Sequence, residues 1–210
     1  MLALSLIAVG VAAVTNWSTR VRPNQRLETL SKPLTTALVM WVAIAADGPN
    51  TATALAIVGL VFCLLGDIAL LDVVDHFVAG LGAFLIGPVL FIAMLIQLRL
   101  EHPWWAIPAG LALAVNATIA GRRIVAGAAA QEPRLKIPVV AYLMVILAMA
   151  VVASTTANWW AIAGAGAFVA SDTILGWRAF VAEKSWMALA VMVSYHSALV
   201  GLALSLQGVS

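Results

Sequence analysis

Eight apolar runs separated by short polar turns constrain this chain more than any other feature. They fall roughly at 1–17, 33–47, 52–72, 76–97, 103–121, 137–155, 158–176 and 186–207. A helix needs about 20 apolar residues to cross a bilayer core. In lipid every backbone polar group must be bonded internally, so such runs become helices. The expectation is an all-α, polytopic membrane protein: an eight-transmembrane-helix bundle forming a single domain over residues 1–210. The first two runs are short and must borrow flanking residues or lie nearly upright. Composition agrees, with 64% hydrophobic and 10% charged residues and a mean hydropathy of +1.07. These values exclude an ordinary soluble domain.

The partner is therefore the lipid bilayer. No polar stretch is large enough for a nucleic-acid surface, a Gly-rich phosphate loop or a soluble nucleophile site. The chain opens apolar with no basic leader segment, so the first run reads as a retained span. Cys63 is the one cysteine and lies inside a span, which excludes a disulfide framework.

Basic residues set the orientation. Arg20, Arg22, Arg26 and Lys32 surround the first loop, Arg122, Arg123, Arg134 and Lys136 the fifth, and Arg178 and Lys184 the seventh. Only Arg99 lies elsewhere. The positive-inside rule places the odd loops in the cytoplasm and both termini outside. The expected location is the cell membrane, in a bacterium the inner one. Trp104-Trp105 and Trp159-Trp160 fall at predicted outer ends, as an interfacial belt would.

Two acids are set within apolar runs, Asp67 in the third and Asp172 in the seventh. An ionisable residue at that depth is costly, so it faces a protein interior or a watery cavity and marks function. Ala52, Ala56, Gly59, Cys63 and Gly66 form one small-residue helix face with Asp67 at its edge. Ala161, Ala165, Phe168, Asp172 and Gly176 share another. Such faces bring membrane helices close together. With the predicted orientation both acids lie in the cytoplasmic half. Asn116, Tyr142, Ser171, Tyr195 and His196 are the other polar residues of the inner or middle spans. Asp172 follows Asp67 by 105 residues, and Lys136 follows Lys32 by 104. Lys32-Pro33 and Lys136-Ile-Pro138 each open a second span of four. A weak 4+4 parallel repeat is one reading, with the site between its halves; coincidence is the other.

The same residues carry a resemblance. Lys32-Pro33-Leu34, Gly59-Leu-x-Phe62-x-x-x-Gly66-Asp67, Phe77-x-x-Gly80-Leu81-x-x-Phe84, Pro138-x-x-x-Tyr142 with Met149, Ser171-Asp172 and finally Tyr195 resemble the YhhN-like lysoplasmalogenase family. The match covers most of the chain in order. It implies an eight-helix enzyme that hydrolyses the vinyl ether bond of lysoplasmalogens to a fatty aldehyde and a glycerophospho-alcohol, with a lysophospholipid as substrate and no cofactor. The chain departs from the family pattern at two places. A histidine and then a tyrosine usually follow Phe84, where this chain has Pro88 and Phe91. A glutamine usually follows the last tyrosine, where it has Leu199.

Vinyl ether opening needs a proton on the outer alkene carbon and then water on the resulting oxocarbenium ion. One carboxyl must carry the proton while another is ionised, a division of roles that paired carboxyls perform in glycosidases. Asp67 and Asp172 are the expected catalytic pair. Lys32 is a candidate for a headgroup phosphate, or for positive-inside anchoring. Asn116, Tyr142, Ser171, Tyr195 and His196 are the remaining substrate-binding candidates. His196 reads first as a core histidine bonded to a neighbouring helix, and second as a substitute for the family's histidine. Asp72, Asp75 and His76 crowd the third loop at a spacing a metal would accept, but a short turn needs such residues for capping and solubility. No metal is expected. The alternative function is a non-catalytic lipid-binding protein or small proton-coupled transporter, which the same buried acids would serve.

Overall fold

The computed structural model describes residues 1–71, 74 and 76–207, without the side chain of Phe77. Asp72 and Asp75 of the proposed metal cluster, and the Phe77 side chain of the family motif, lie outside the described residues. Helix accounts for 85% of the structure, with no strands among the described residues. The described residues form eight long helical segments: α1 (Leu2–Val21), α2 (Gln25–Ala45), α3 (Asn50–Ala69), α4 (Phe77–Gln97), α5 (Pro103–Gln131), α6 (Pro133–Thr155), α7 (Trp159–Phe180) and α8 (Met187–Leu204). Six of them, all but α2 and α7, are long and apolar enough to cross a membrane. The two exceptions hold Lys32 and Asp172, the polar residues that lower their hydropathy.

Five of the helices, α1, α2, α5, α6 and α7, are longer than their apolar runs. α1 continues to Val21, and α2 begins eight residues before Pro33. Asn24 caps α2, its side-chain oxygen accepting the Leu27 N–H at 3.2 Å, and Glu28 stands in the first turn, where a negative charge suits the helix dipole. Lys32 was expected at a helix mouth; it lies two turns inside α2 and is buried. α5 overshoots its apolar run by ten residues and ends at Gln131. It passes through one π-turn at Ala117–Gly121. Arg122 and Arg123 thus belong to a helix rather than a loop.

α3 packs on α4, α7 on α8 and α1 on α2, while α8 also meets α1, α2 and α3. Among the six apolar helices α8 is the most enclosed and α5 the least; α5 lies outside, against α6 and α7. Small residues decide two of these contacts. A Cβ on Gly59 would come within 2.9 Å of the Phe91 ring, and one on Gly164 within 2.7 Å of the Leu202 nitrogen. The α3–α4 and α7–α8 pairs therefore pack nearly backbone to ring and backbone to backbone.

The turns after α2 and α6 have one device in common. Asp47 and Ala157 each adopt a left-handed backbone, with φ of 57° and 55°, ending the preceding helix. Asn158 then caps α7 by accepting from the Trp160 and Ala161 amides. Its side-chain amide donates to the Ser205 carbonyl at 2.9 Å, which ties this turn to the end of α8.

Candidate active site

Three helices converge on Asp67. α3 presents it from its last turn, fully buried. The Thr36 hydroxyl of α2 donates to Asp67 Oδ2 at 2.5 Å, and the Tyr195 hydroxyl of α8 donates to the same oxygen at 3.0 Å. Lys32 Nζ lies 3.6 Å from Oδ1 and donates to the Asp67 backbone carbonyl at 3.4 Å. Oδ1 has no hydrogen-bond partner. Tyr195 is itself held edge-on by Phe84 and Phe168, at ring distances of 5.8 and 6.1 Å. A buried carboxylate with a cation and two hydroxyl donors is well compensated, whereas either half of the Lys32–Asp67 pair alone would leave an unmatched buried charge.

Asp172 lies on α7, also buried. It accepts from the Tyr142 hydroxyl of α6 at 2.7 Å. Unlike Asp67 it has no ion-pair partner among the described residues. Its neighbour Ser171 turns to α8 and donates to the Val191 carbonyl at 3.3 Å.

Both acids line one polar cavity of about 180 Å³, together with Lys32, Ser171 and Tyr195, at the end of the bundle that carries the odd loops. Arg20, Glu28 and Arg178 also line it. Arg20 pairs with Glu28 at 2.6 Å and Arg178 with Glu183 at 2.6 Å. A second cavity of about 280 Å³ is lined almost wholly by apolar side chains, with Tyr142 and Asp172 as its polar members. Leu70, Phe84, Asp172 and Leu175 line both cavities. Asp172 therefore stands where a charged chamber meets a greasy one.

The structure thus gathers Asp67, Asp172, Lys32, Tyr142, Ser171 and Tyr195 around two adjacent cavities that share four lining residues. It sets Asn116 and His196 elsewhere. Asn116 accepts from Thr173 at 3.5 Å and lines an outer groove between α5 and α6. His196 faces α1, where its Nδ1 accepts from the Trp17 indole at 3.1 Å and the two rings stack. The neighbouring-helix reading of His196 describes this geometry. Pro88 and Phe91 line neither cavity. Phe91 is a packing residue between Gly59 and Phe168, and Leu199 is fully buried in the core. No three His, Cys, Asp or Glu side chains are grouped to hold a metal among the described residues.

Sequence reasoning did not find Thr36, Phe84 as a site wall, or Arg20, Glu28 and Arg178 at the rim. A signal existed for the first of these. Thr36 is four residues after Lys32 and so on the same helix face, in a row with buried Ser31 and Thr35.

No curated protein and no solved structure matches the chain significantly. The model of the YhhN family matches residues 27–206, a stretch that takes in α2 to α8 and every residue of the two cavities except Arg20. By that match the chain belongs to the YhhN family.

Proposed function

We propose that the chain is a lysoplasmalogenase-like membrane hydrolase that cleaves the vinyl ether bond of a lysophospholipid. The observation that carries this reading is the pair of adjacent cavities, one charged and one apolar, with an acid lining both. A single-chain lipid has the same two parts. Its hydrocarbon chain fits the chamber walled by Leu81, Ile124, Val139 and Leu143. Its phosphate fits beside Lys32, Arg20 and Arg178, whose cationic groups suit an anion. The vinyl ether joins chain to headgroup, so it falls beside Asp172.

Roles follow from surroundings. Asp67, with Lys32 and two hydroxyl donors against it, acts as the carboxylate. Asp172, without a cation, acts as the proton carrier, and Tyr142 holds its Oδ2 in place. The proton passes from Asp172 to the outer alkene carbon, leaving an oxocarbenium ion. Asp67 stabilises that cation and takes a proton from the attacking water. The resulting hemiacetal collapses to the aldehyde: its hydroxyl proton passes to Asp172, restoring the acid, and the proton held by Asp67 goes to the departing glycerol oxygen. General acid–base groups of this kind contribute roughly 10²–10⁴-fold each.

The chain is further proposed to cross the membrane eight times, with the odd loops cytoplasmic. The substrate then enters from the cytoplasmic leaflet.

Fatty aldehyde release from a choline or ethanolamine lysoplasmalogen by purified protein tests the reading, with Asp67→Asn and Asp172→Asn alongside. Wild-type turnover with a loss of at least about 100-fold in each variant is the expected result. Both variants keep the size of the native side chain; Asp67→Asn leaves the buried Lys32 charge without its partner, so thermal unfolding in detergent is read beside turnover. Turnover in either variant at the wild-type level would remove that acid from the mechanism. An intact lipid that binds but is never converted would favour the non-catalytic lipid-binding or transport reading.

A further inference from the structure

A groove of about 540 Å³ lies away from the acids, between α5 and α6. On the α5 side its floor is Ala117, Gly121, Ala126 and Ala129, with Arg122 among them; on the α6 side its walls are Val140, Leu143, Met144 and Leu147. Small residues, with Val125, on one helix opposite large aliphatic ones on the other leave this apolar groove open. The π-turn at Ala117–Gly121 lies along its floor. Such a turn inserts one extra residue and offsets the faces before and after it, here bringing Asn116 and Ala117 as well as Gly121 and Arg122 to the same groove.

Two further observations say what fills it. α5 and α6 are both apolar enough to cross a membrane, and α5 is the least enclosed of the six such helices. The groove therefore faces bilayer, and Met144 in its wall is 63% exposed. Its charges are all of one sign. Lys136 lines it at the α5–α6 turn and Arg122 further in along α5, and among the described residues no acid lines it. Arg123 is turned away, stacked 5.6 Å over the Trp177 ring. Apolar walls alone would accept any acyl chain. Two cations where the chain would meet its headgroup select for a phosphate without a compensating amine, as basic pockets between transmembrane helices do.

We propose that this groove is a second lipid site, taking one anionic phospholipid of the bilayer with an acyl chain along α6 and its headgroup phosphate between Arg122 and Lys136. It is separate from the polar cavity, and it stands whatever reaction that cavity performs.

Native mass spectrometry of the purified full chain tests it, with phosphatidylglycerol and phosphatidylcholine of identical chains titrated in parallel. One phosphatidylglycerol should bind more tightly than phosphatidylcholine, by about fivefold for each of the two cations. The Arg122→Gln/Lys136→Gln variant should bring the two lipids level, and Arg122→Lys should restore much of the preference. Met144→Trp, which fills the groove, should weaken both lipids, while Arg123→Gln should leave the preference intact. Equal affinities in the wild type, or a preference that survives the double variant, would overturn the proposal. So would a two-chain species that carries no lipid preference and is lost in Met144→Trp, since that result gives the groove to a second copy of the chain.

Discussion

Asp67 and its three partners give the sharpest contrast between neighbouring residues. Tyr195 and His196 are adjacent on α8, yet one hydroxyl reaches Asp67 and the other ring faces Trp17. Successive helix residues point about 100° apart, so both cannot serve one site. Tyr195→Phe removes one of two hydroxyl donors to a charged group. A hydrogen bond of that kind contributes about 1.5–3 kcal/mol, so turnover should fall by roughly 10- to 100-fold. The melting temperature should move little, because the ring keeps its contacts with Phe84 and Phe168. His196→Leu should do the reverse. Aldehyde release should stay close to wild type, while stability falls by about 1–3 kcal/mol as the Trp17 N–H loses its acceptor. Parallel measurement of turnover and thermal unfolding checks both, and equal losses of activity would return His196 to the site. The sequence contained this contrast in part. The spacing of Asp67 and Tyr195 placed both in the inner or middle part of the bundle, but the direction of Tyr195 is set by the packing of α8 against α2 and α3. No local pattern encodes that packing.

At the scale of elements, the apolar runs fall on helices, six of them apolar enough to cross a membrane, but hydropathy misjudged their ends, because it measures affinity for lipid rather than helicity. Arg122–Gln131 reads as a loop on charge alone. It is nevertheless rich in alanine, which favours helix, and it packs Ile124 and Ala128 into a small core with Val139. α2 was shortened for the opposite reason: Pro33 looked like a start, although the cap lies at Asn24 and the helix runs through the proline. The close α3–α4 crossing was legible, since Gly59 sits on a small-residue face, whereas Gly164, at the α7–α8 crossing, lies outside the face read for α7. The two glycines lie 105 residues apart, the interval between the two acids. In each half a second-helix hydroxyl, Thr36 or Tyr142, bonds the acid of the third helix, and a left-handed residue joins those helices. Two substitutions test the elements themselves. Gly164→Val should drive its side chain into the α8 backbone and destabilise the protein by about 1–3 kcal/mol or more. Ala157→Gly should relieve a left-handed alanine and stabilise it by about 0.5–1 kcal/mol. Denaturation in a fixed detergent reads both, and a Gly164→Val protein with wild-type stability would deny the close α7–α8 contact.

For the molecule as a whole, the polar cavity and the basic loops occupy the same end of the bundle. Arg20 and Glu28 come from the first loop region, Leu70 from the end of α3, and Arg178 and Ala188 from either side of the seventh loop. The positive-inside rule assigns that end to the cytoplasm. If the assignment holds, both the proposed headgroup chamber and the basic mouth of the α5–α6 groove open to the cytoplasmic leaflet. The chain has a convenient background for testing it, because its single cysteine, Cys63, is fully buried. Ser185→Cys places a thiol in the exposed turn between α7 and α8. Thr51→Cys places one in the exposed first turn of α3, at the opposite end. A membrane-impermeant maleimide applied to intact cells should label Thr51→Cys and spare Ser185→Cys, and inverted vesicles should reverse the pattern. Labelling of both thiols from one side would break the eight-span topology, since one of the five intervening crossings, α3 to α7, would then be missing or an extra one present. Labelling with the sides exchanged would keep eight spans but turn the molecule over. The acids would then face the outer leaflet, and the substrate would have to arrive from there.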